Sequence, residues 1–295
     1  MEFRSIGIVG CGLMGSGIAQ CAAEAGLDVR VKEANEAMLA KGLARISSAW
    51  DRAVTKGKLT EDQRTDLTRR LHGTTALADL AYCDLVVEAV PERIDLKLQT
   101  FAELDRVLVP GALICTNTSS LSVAQLSPAL SPQRLPRLAG LHFFNPVPVM
   151  PLVEVVRTLA TDEATLAALR AFVQKLGKTA VLAPDAPGFV VNRLLVPYLL
   201  DAMRCAEQRL ASVEDLDTGM KLGCGHPMGP LHLSDFIGLD TMQSVAEVLF
   251  EAFGEPRFKA PSVLRQLVAA GRLGRKSGSG FYRWEGEKRL EALPL

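Results

Sequence analysis

Residues 6–15 read IGIVGCGLMG, and this stretch decides how the first half of the chain folds. The first four residues form an apolar run typical of a buried strand, and a helical pattern follows the glycines. Gly10 permits a tight turn, Gly12 lets the backbone approach a pyrophosphate, and Gly15 lets the helix pack closely on the strand. This order of strand, glycine loop and helix predicts a dinucleotide-binding site.

A second strand, predicted over Asp28 to Lys32, ends beside an acidic residue. Glu33 stands 23 positions after Gly10, where a carboxylate can accept hydrogen bonds from the diol of a ribose. Ala34 and Asn35 come next, so no arginine directly follows that could bind a 2′-phosphate. The sequence therefore favours NAD over NADP as the cofactor.

Strands and helices alternate as far as about residue 186, which predicts an α/β fold of the Rossmann type with a sheet covered on both faces. Further strands are predicted over residues 84–90 and 112–115, and a hydroxyl-rich loop, residues 116–120, follows the second of them. In open α/β sheets ligands bind outside the carboxyl ends of the strands. We therefore interpret this loop as a helix cap, a substrate contact, or both.

A long helical excursion separates the second strand from the strand that starts at residue 84. Helical patterns run from Asn35 to about Val54 and again from Thr60, with Lys56 and Lys58 between them. We interpret the excursion either as a solvated hairpin or as a lid whose lysines meet a phosphate-bearing substrate.

Residues 140–156, GLHFFNPVPVMPLVEVV, hold a histidine at the end of one predicted strand and a glutamate in the middle of the next. Prolines this dense cannot continue a strand or a helix, so the chain must turn between them. The turn folds His142 back toward Glu154, which predicts an acid–base dyad, since a carboxylate fixes the tautomer of an imidazole and stabilises its protonated form. A satisfied core histidine and a solvated glutamate are the alternative interpretation of this pattern.

The segment APDAPG, residues 183–188, marks a domain boundary, so we predict one domain over residues 1–186 and another over residues 187–295. Beyond the boundary the pattern is helical to the end, which predicts a smaller all-α domain. Its first helix, from Phe189 to about Arg209, is more apolar than a surface helix needs, so it is either a core helix or a subunit interface.

Composition argues against several classes of protein. The chain has 295 residues, and its 33 basic and 33 acidic side chains leave no net charge, which argues against nucleic-acid binding through the overall field. The sequence has no apolar run as long as a membrane span and no signal-peptide pattern at its start. Its six scattered cysteines lack paired or metal-binding spacing, so we expect reduced thiols, a cytoplasmic location and no metal site.

Several long motifs together resemble the short-chain L-3-hydroxyacyl-CoA dehydrogenase family, which includes the bacterial 3-hydroxybutyryl-CoA dehydrogenases. In chain order they are HFFNPVPVMPLVEVV, PGFVVNRLLVPYL, LGCGHPMGPLHLSDFIGLD and GRKSGSGFY. The resemblance covers nearly the whole chain and implies an NAD-dependent oxidoreductase that interconverts short-chain (S)-3-hydroxyacyl-CoA and 3-ketoacyl-CoA. It also implies a homodimer formed through the C-terminal domain.

The resemblance assigns roles to individual residues as well. It implies that His142 and Glu154, twelve residues apart, form the catalytic dyad and that Ser119 and Asn192 contact the substrate. Lys56 falls on the position of a lysine that contacts coenzyme A. The implied NAD contacts are Gly10, Gly12, Leu13, Met14, Gly15, Glu33, Glu92, Lys97, Asn117 and Lys276.

Two other functions stay open at this point. One is a different substrate on the same fold, such as 3-hydroxyadipyl-CoA or a free hydroxy acid, although the HFFNP motif favours an acyl-CoA. The other is a non-enzymatic NAD(H)-binding protein, against which the presence of both dyad residues argues.

Overall fold

The computed structural model describes residues 3–295. The chain divides into two compact units, Met1–Ala186 and Pro187–Leu295. Each unit has its own cluster of buried apolar side chains, so each has its own core.

The described part of the first unit is built on an eight-stranded sheet. Its strands are β1 (Ser5–Val9), β2 (Asp28–Lys32), β3 (Leu71–Thr74), β4 (Leu85–Glu88), β5 (Leu113–Thr116), β6 (Leu138–Phe143), β7 (Leu152–Arg157) and β8 (Thr179–Pro184). The spatial order is β3-β2-β1-β4-β5-β6-β7-β8, and every neighbouring pair is parallel except β6 and β7. The strand order reverses between β1 and β4, as in Rossmann-type folds, and the predicted fold class is confirmed.

Helices connect these strands and cover the sheet. They are α1 (Leu13–Glu24), α2 (Glu36–Thr55), α3 (Glu61–Arg69), α4 (Ile94–Val107) and α5 (Glu163–Lys175). Asn35 begins α2 by accepting a hydrogen bond from the Met38 amide, and Thr60 begins α3 in a capping box with Gln63. Such caps each stabilise a helix by about 1 kcal/mol.

Strands β4, β5 and β6 are buried along their whole length. Their apolar sequences have no polar face because helices cover both sides of the sheet. Burying one such Val, Leu or Ile side chain contributes roughly 1.5–3 kcal/mol. This rigid central sheet carries the carboxyl-terminal loops in which the candidate site residues lie.

Strand β3 is a feature that the sequence analysis missed. The helical excursion was expected to contain no strand before residue 84, but Leu71–Thr74 pairs with β2 in parallel, with Val29 opposite Leu71. The strand is short, half exposed and at the edge of the sheet, and it contains His72 and Gly73. It therefore lacks the alternation of apolar and polar residues by which strands are recognised.

The second unit contains the helices α6 (Val191–Glu207), α7 (Val213–Gly223), α8 (Pro230–Ile237), α9 (Leu239–Phe253) and α10 (Ser262–Ala269). The predicted helical C-terminal domain is therefore confirmed. Buried side chains on α6, among them Leu199, Leu200 and Met203, make it a core helix of this unit. No helix in the described chain is both long and apolar enough to span a membrane.

The second unit does not stay helical to its end, as the sequence pattern had indicated. Residues Tyr282–Glu285 and Lys288–Ala292 form an antiparallel hairpin, here β9 and β10. The buried carboxylate of Asp235 fixes the start of this hairpin by accepting hydrogen bonds from the amides of Phe281 and Tyr282 and from the indole of Trp284. Because these hydrogen bonds join residues 46 to 49 positions apart, no local periodicity in the sequence indicates the hairpin.

Candidate active site

His142 and Glu154 lie directly opposite each other on the antiparallel strands β6 and β7. Side chains in such a pair start about 5 Å apart at Cβ, so a histidine and a glutamate can meet without strain. Nδ1 of His142 lies 2.6 Å from Oε2 of Glu154, and the two residues are 4% and 0% exposed. The expected turn and return of the chain are thus confirmed.

The arrangement defines the tautomer of the imidazole. An ionised carboxylate can only accept hydrogen bonds, so Nδ1 of His142 carries a hydrogen and donates a hydrogen bond to Glu154. Nε2 is then the basic nitrogen of the neutral ring, and it lies 3.1 Å from Oγ of Ser119. The ring of Phe144 packs against the imidazole with 4.6 Å between centroids and limits its rotation. The site therefore offers a proton acceptor beside a hydroxyl.

Ser119 lies on the loop that follows β5. Oδ1 of Asn117 accepts a hydrogen bond of 2.9 Å from the amide of Phe143, which ties the start of this loop to β6. The carboxylate of Glu92 accepts from the amides of Ser119 and Ser120, at 3.1 and 3.2 Å. These bonds give the loop one shape, so Asn117 and Glu92 support Ser119.

Glu92 is held as a carboxylate by its surroundings. Burial alone would raise the pKa of its carboxyl group, but the Lys97 ammonium and hydrogen bonds from Thr118 and Ser119 outweigh burial and hold this pKa below its ordinary value. Its side chain is still 38% exposed. Glu92 can therefore face a ligand while its negative charge organises the loop.

A cavity of about 460 Å³ lies at the carboxyl ends of β1 and β4, where the strand order reverses. Gly10 has a φ of +95° there, and a Cβ on it would lie 2.7 Å from the carbonyl oxygen of Ala89. A Cβ on Gly12 would meet no described atom within 4 Å, so this glycine leaves open space before α1. No side chain of the described residues caps α1, and its amides can bind a pyrophosphate. The cleft therefore fits NAD.

Three further predicted cofactor residues line the same cavity, whereas Gly15 is not among its lining residues. Leu13 is 59% exposed, and Met14 and Glu33 border the cavity with it. The carboxylate of Glu33 accepts hydrogen bonds from the amides of Cys11, at 2.6 Å, and Ala34, at 2.8 Å. Each oxygen keeps a second lone pair with which a ribose hydroxyl can bond.

Lys97 is buried and does not line that cavity. Its side chain is 1% exposed, and its Nζ lies 2.7 and 3.0 Å from the two oxygens of Glu88 and 3.2 Å from Glu92. A direct contact between Lys97 and NAD stays a prediction. Glu92, whose side chain is partly exposed, is the residue of this group that NAD can reach. Sequence reasoning missed Glu88, although an acidic residue within the apolar run LVVEAV was a signal.

Three of the predicted site residues lie outside the glycine loop, the Ser119 loop and strands β6 and β7. Lys56 is exposed at the end of α2. In the second unit, Asn192 lies in the first turn of α6, and Lys276 pairs with Asp240, with Nζ 2.5 Å from Oδ1. The roles of these three residues stay predictions.

Comparison with known proteins identifies the family. The model of the 3-hydroxyacyl-CoA dehydrogenase NAD binding domain matches residues 5–186, and that of the C-terminal domain matches residues 188–284. A 3-hydroxybutyryl-CoA dehydrogenase of Mycobacterium tuberculosis is 50% identical over 282 residues, which cover 95% of this chain and 98% of the relative. A probable 3-hydroxybutyryl-CoA dehydrogenase of Bacillus subtilis is 44% identical over 285 residues, or 97% of this chain and 99% of the relative.

A solved structure agrees with these matches. The crystal structure of (S)-3-hydroxybutyryl-CoA dehydrogenase from Ralstonia eutropha has a TM-score of 0.92 and 44% sequence identity, and the match covers 96% of this chain and 100% of that one. The family and the cofactor expected from the sequence are confirmed. The chain is an NAD-dependent oxidoreductase that belongs to the 3-hydroxyacyl-CoA dehydrogenase family.

Proposed function

We propose that the protein interconverts (S)-3-hydroxyacyl-CoA and 3-ketoacyl-CoA, with 3-hydroxybutyryl-CoA and acetoacetyl-CoA as its substrates, and that His142 and Glu154 are its catalytic dyad. The observation that carries the proposal is the buried contact of 2.6 Å between these side chains, with Nε2 of the imidazole turned toward Ser119. The names of the relatives, 3-hydroxybutyryl-CoA dehydrogenases that match nearly the whole chain, support the short acyl group.

The chemistry of the dyad follows from its geometry. When bound, NAD supplies the acceptor for the hydride that leaves C3 of the substrate. Nε2 of His142 takes the proton of the 3-hydroxyl group, and the Glu154 carboxylate stabilises the imidazolium that results because it accepts a hydrogen bond from Nδ1–H. In the direction of ketone reduction the imidazolium returns this proton to the oxygen.

Ser119 and Asn192 position the substrate oxygen in this proposal. The hydroxyl of Ser119 lies within hydrogen-bond distance of Nε2 of His142, so an oxygen that binds Nε2 also meets this hydroxyl. The hydroxyl of Ser119 and the imidazole of His142, both in the first unit, orient the substrate and bear part of the charge that develops on its oxygen. The resemblance supports the same role for Asn192.

The test is an assay of the full chain with acetoacetyl-CoA and NADH, followed by the loss of NADH absorbance. We expect turnover with acetoacetyl-CoA and little with free acetoacetate. Turnover only with 3-oxoadipyl-CoA would mean that this compound, and not acetoacetyl-CoA, is the substrate. Turnover only with a free keto acid would mean that the enzyme does not act on acyl-CoA. NADH binding without turnover of any of these compounds would support the alternative of a non-enzymatic NAD(H)-binding protein.

The proposal includes a homodimer through the C-terminal domain and a cytoplasmic location. Large apolar side chains exposed on α6 and α7 support the dimer, among them Leu194, which is 71% exposed, and Leu222, which is 80% exposed. All six cysteines are free thiols, which supports a reducing compartment. Sedimentation of the full chain should give twice the mass of 31.8 kDa, and a single-chain mass would reject the dimer.

A further inference from the structure

Glu88 is a completely buried carboxylate at the end of β4. Its Oε1 accepts hydrogen bonds from the amide of Val90 and from Nζ of Lys97, both at 2.7 Å. Its Oε2 accepts from Nζ of Lys97 at 3.0 Å and from Oγ1 of Thr116 at 2.7 Å. Both oxygens are thus engaged inside the protein.

Two branches of contacts lead from this carboxylate to the loop that carries Ser119. In the first branch, Lys97 bridges Glu88 to Glu92, with Nζ 3.2 Å from Oε2 of Glu92. The other oxygen of Glu92 accepts from the amides of Ser119 and Ser120. The orientation of Glu92, and with it that of the loop, therefore depends on a buried cation that Glu88 holds.

The second branch runs through two threonines. Oγ1 of Thr116 donates to Glu88 and accepts a hydrogen bond of 3.2 Å from the amide of Thr118. The hydroxyl of Thr118 donates to Glu92 and accepts from the amide of Leu121 at 3.0 Å. Both branches thus meet at Thr118 and Glu92, directly beside Ser119.

Stability alone does not account for this arrangement. Removing a carboxylate and an ammonium from water costs several kcal/mol per ion, and a pair of well-packed apolar side chains is often as stable. What the ion pair provides is a fixed direction for Lys97, and the low pKa of Glu92 is in keeping with this, since the Lys97 ammonium is the leading cause of the lowering.

We propose that Glu88 is a positioning residue of the active site, which acts through Lys97 and Thr116 to hold the loop of Asn117–Leu121 so that the hydroxyl of Ser119 faces Nε2 of His142. The inference rests on the proposed function, because Ser119 contributes only if it contacts the substrate oxygen. Glu88 itself touches neither substrate nor cofactor in this role.

Glu88→Gln is the variant that tests the proposal. A glutamine has nearly the same shape, but it offers one acceptor oxygen and one NH₂ group to the Val90, Lys97 and Thr116 donors. We expect kcat for acetoacetyl-CoA reduction to fall about 10–100-fold, the range of a misplacement near 1 Å, with a smaller change in KM. Asp105→Asn is the matched control: it weakens the largely buried ion pair between Asp105 of α4 and Arg134, and the hydrogen bonds of Asp105 go to Ser131 and Arg134, outside the Ser119 loop.

A double-mutant cycle with Ser119→Ala separates positioning from a general structural effect. If Glu88 acts through Ser119, Glu88→Gln lowers kcat much less when the hydroxyl of Ser119 is already absent. Asp105→Asn should have the same small effect in both backgrounds. Losses of Glu88→Gln and Ser119→Ala that multiply in full would overturn the proposal.

Crystallography of the Glu88→Gln variant gives a readout that does not depend on activity. We expect Oγ of Ser119 to move away from Nε2 of His142, and an unchanged distance near 3.1 Å would overturn the proposal. If the variant does not fold, Thr116→Val severs the second branch alone, and the same cycle and distance apply to it. A wild-type protein that is inactive on acetoacetyl-CoA would reject the proposed function, while this distance would still decide the role of Glu88.

Discussion

Three buried carboxylates, two in the first unit and one in the second, differ in their partners. In the first unit Glu154 faces His142 and Glu88 faces Lys97, so each carboxylate meets a side chain that can carry a proton. In the second unit the carboxylate of Asp235 accepts hydrogen bonds from two backbone amides and an indole. Burial is nearly complete in all three cases, so burial does not distinguish a site from a scaffold.

The pKa shifts of two carboxyl groups reflect the same difference. Burial raises the pKa of Asp235 above its ordinary value, and its hydrogen bonds do not compensate. Burial is also the largest influence on Glu92, but the nearby Lys97 ammonium and the hydrogen bonds reverse its effect and lower the pKa. For these two carboxyl groups, a nearby ammonium accompanies the lowered pKa, and hydrogen bonds from amides and an indole accompany the raised one.

The largest effect is expected for the dyad in the first unit. His142→Ala removes the proton carrier and should lower kcat for acetoacetyl-CoA reduction about 10²–10⁴-fold, the usual contribution of one acid–base group. Glu154→Gln keeps the shape but loses the charge that stabilises the imidazolium, so its loss should overlap with that of His142→Ala. Steady-state rates of both single variants and the double variant measure this overlap, with NADH affinity as the control. Losses that are fully additive would mean that Glu154 is structural, like Asp235.

In the second unit the corresponding change should affect stability. Asp235→Ala leaves three buried donors without an acceptor, each worth about 1–3 kcal/mol, so the free energy of unfolding should fall by about 3 kcal/mol or more. The chain has two tryptophans, and in a Trp50→Phe background the fluorescence of Trp284 follows urea unfolding of this unit. Asp201→Ala, which breaks an exposed ion pair with Arg204, is the control. Equal losses of unfolding free energy for the two variants would mean that the Asp235 carboxylate does not stabilise the hairpin.

Glu33 tests the comparison from within the first unit, because its carboxylate accepts backbone amides as Asp235 does. It nevertheless lines the cofactor cleft, so it should repel a 2′-phosphate by a few kcal/mol. We expect kcat/KM to be higher with NADH than with NADPH, and we expect Glu33→Gln to reduce the ratio of these two values. Glu36→Gln, a change in an exposed glutamate of α2, is the control. Equal kcat/KM for the two cofactors in the wild type would contradict this role.

A smaller effect is expected for Lys56, which is exposed and therefore screened by salt. Lys56→Ala should raise KM for acetoacetyl-CoA more than KM for a truncated thioester without the nucleotide, and added salt should reduce the difference. Lys41→Ala is the matched control, since this exposed lysine of α2 lies 15 positions earlier, about 22 Å along the helix axis. If both thioesters respond alike, coenzyme A binds elsewhere.

The smallest effect concerns the pH dependence of stability. Because the folded protein lowers the pKa of Glu92, the stabilisation from its ionised form is present above the unfolded value of about 4.5 and is lost as pH falls through the folded value. Wild type should therefore be more stable than Glu92→Gln at neutral pH, by less than about 1 kcal/mol for a partly exposed pair. Urea unfolding from pH 7 to pH 3 measures this margin. If the stability difference between wild type and Glu92→Gln grew toward low pH, the folded protein would raise the pKa of Glu92 instead of lowering it.

Local sequence pattern was enough to predict the features of this protein that depend on neighbouring residues. The glycine loop between a strand and a helix, the acidic end of β2 and the proline-rich turn between His142 and Glu154 depend on neighbouring residues only. For the same reason the Rossmann-type domain and the helical second domain could be predicted from residue order, while the candidate dyad also needed the resemblance to a known family.

Features that join distant segments could be recognised only in the folded protein. The four-residue edge strand β3, the C-terminal hairpin anchored by Asp235 and the link from Glu88 to the Ser119 loop all depend on such contacts. Glu88 and Thr116 are 28 residues apart, and Asp235 and Tyr282 are 47 apart. A short sequence window cannot show which donors bond to a buried carboxylate such as Glu88 or Asp235. These donors come within hydrogen-bond distance only when the sheet or the helices have packed.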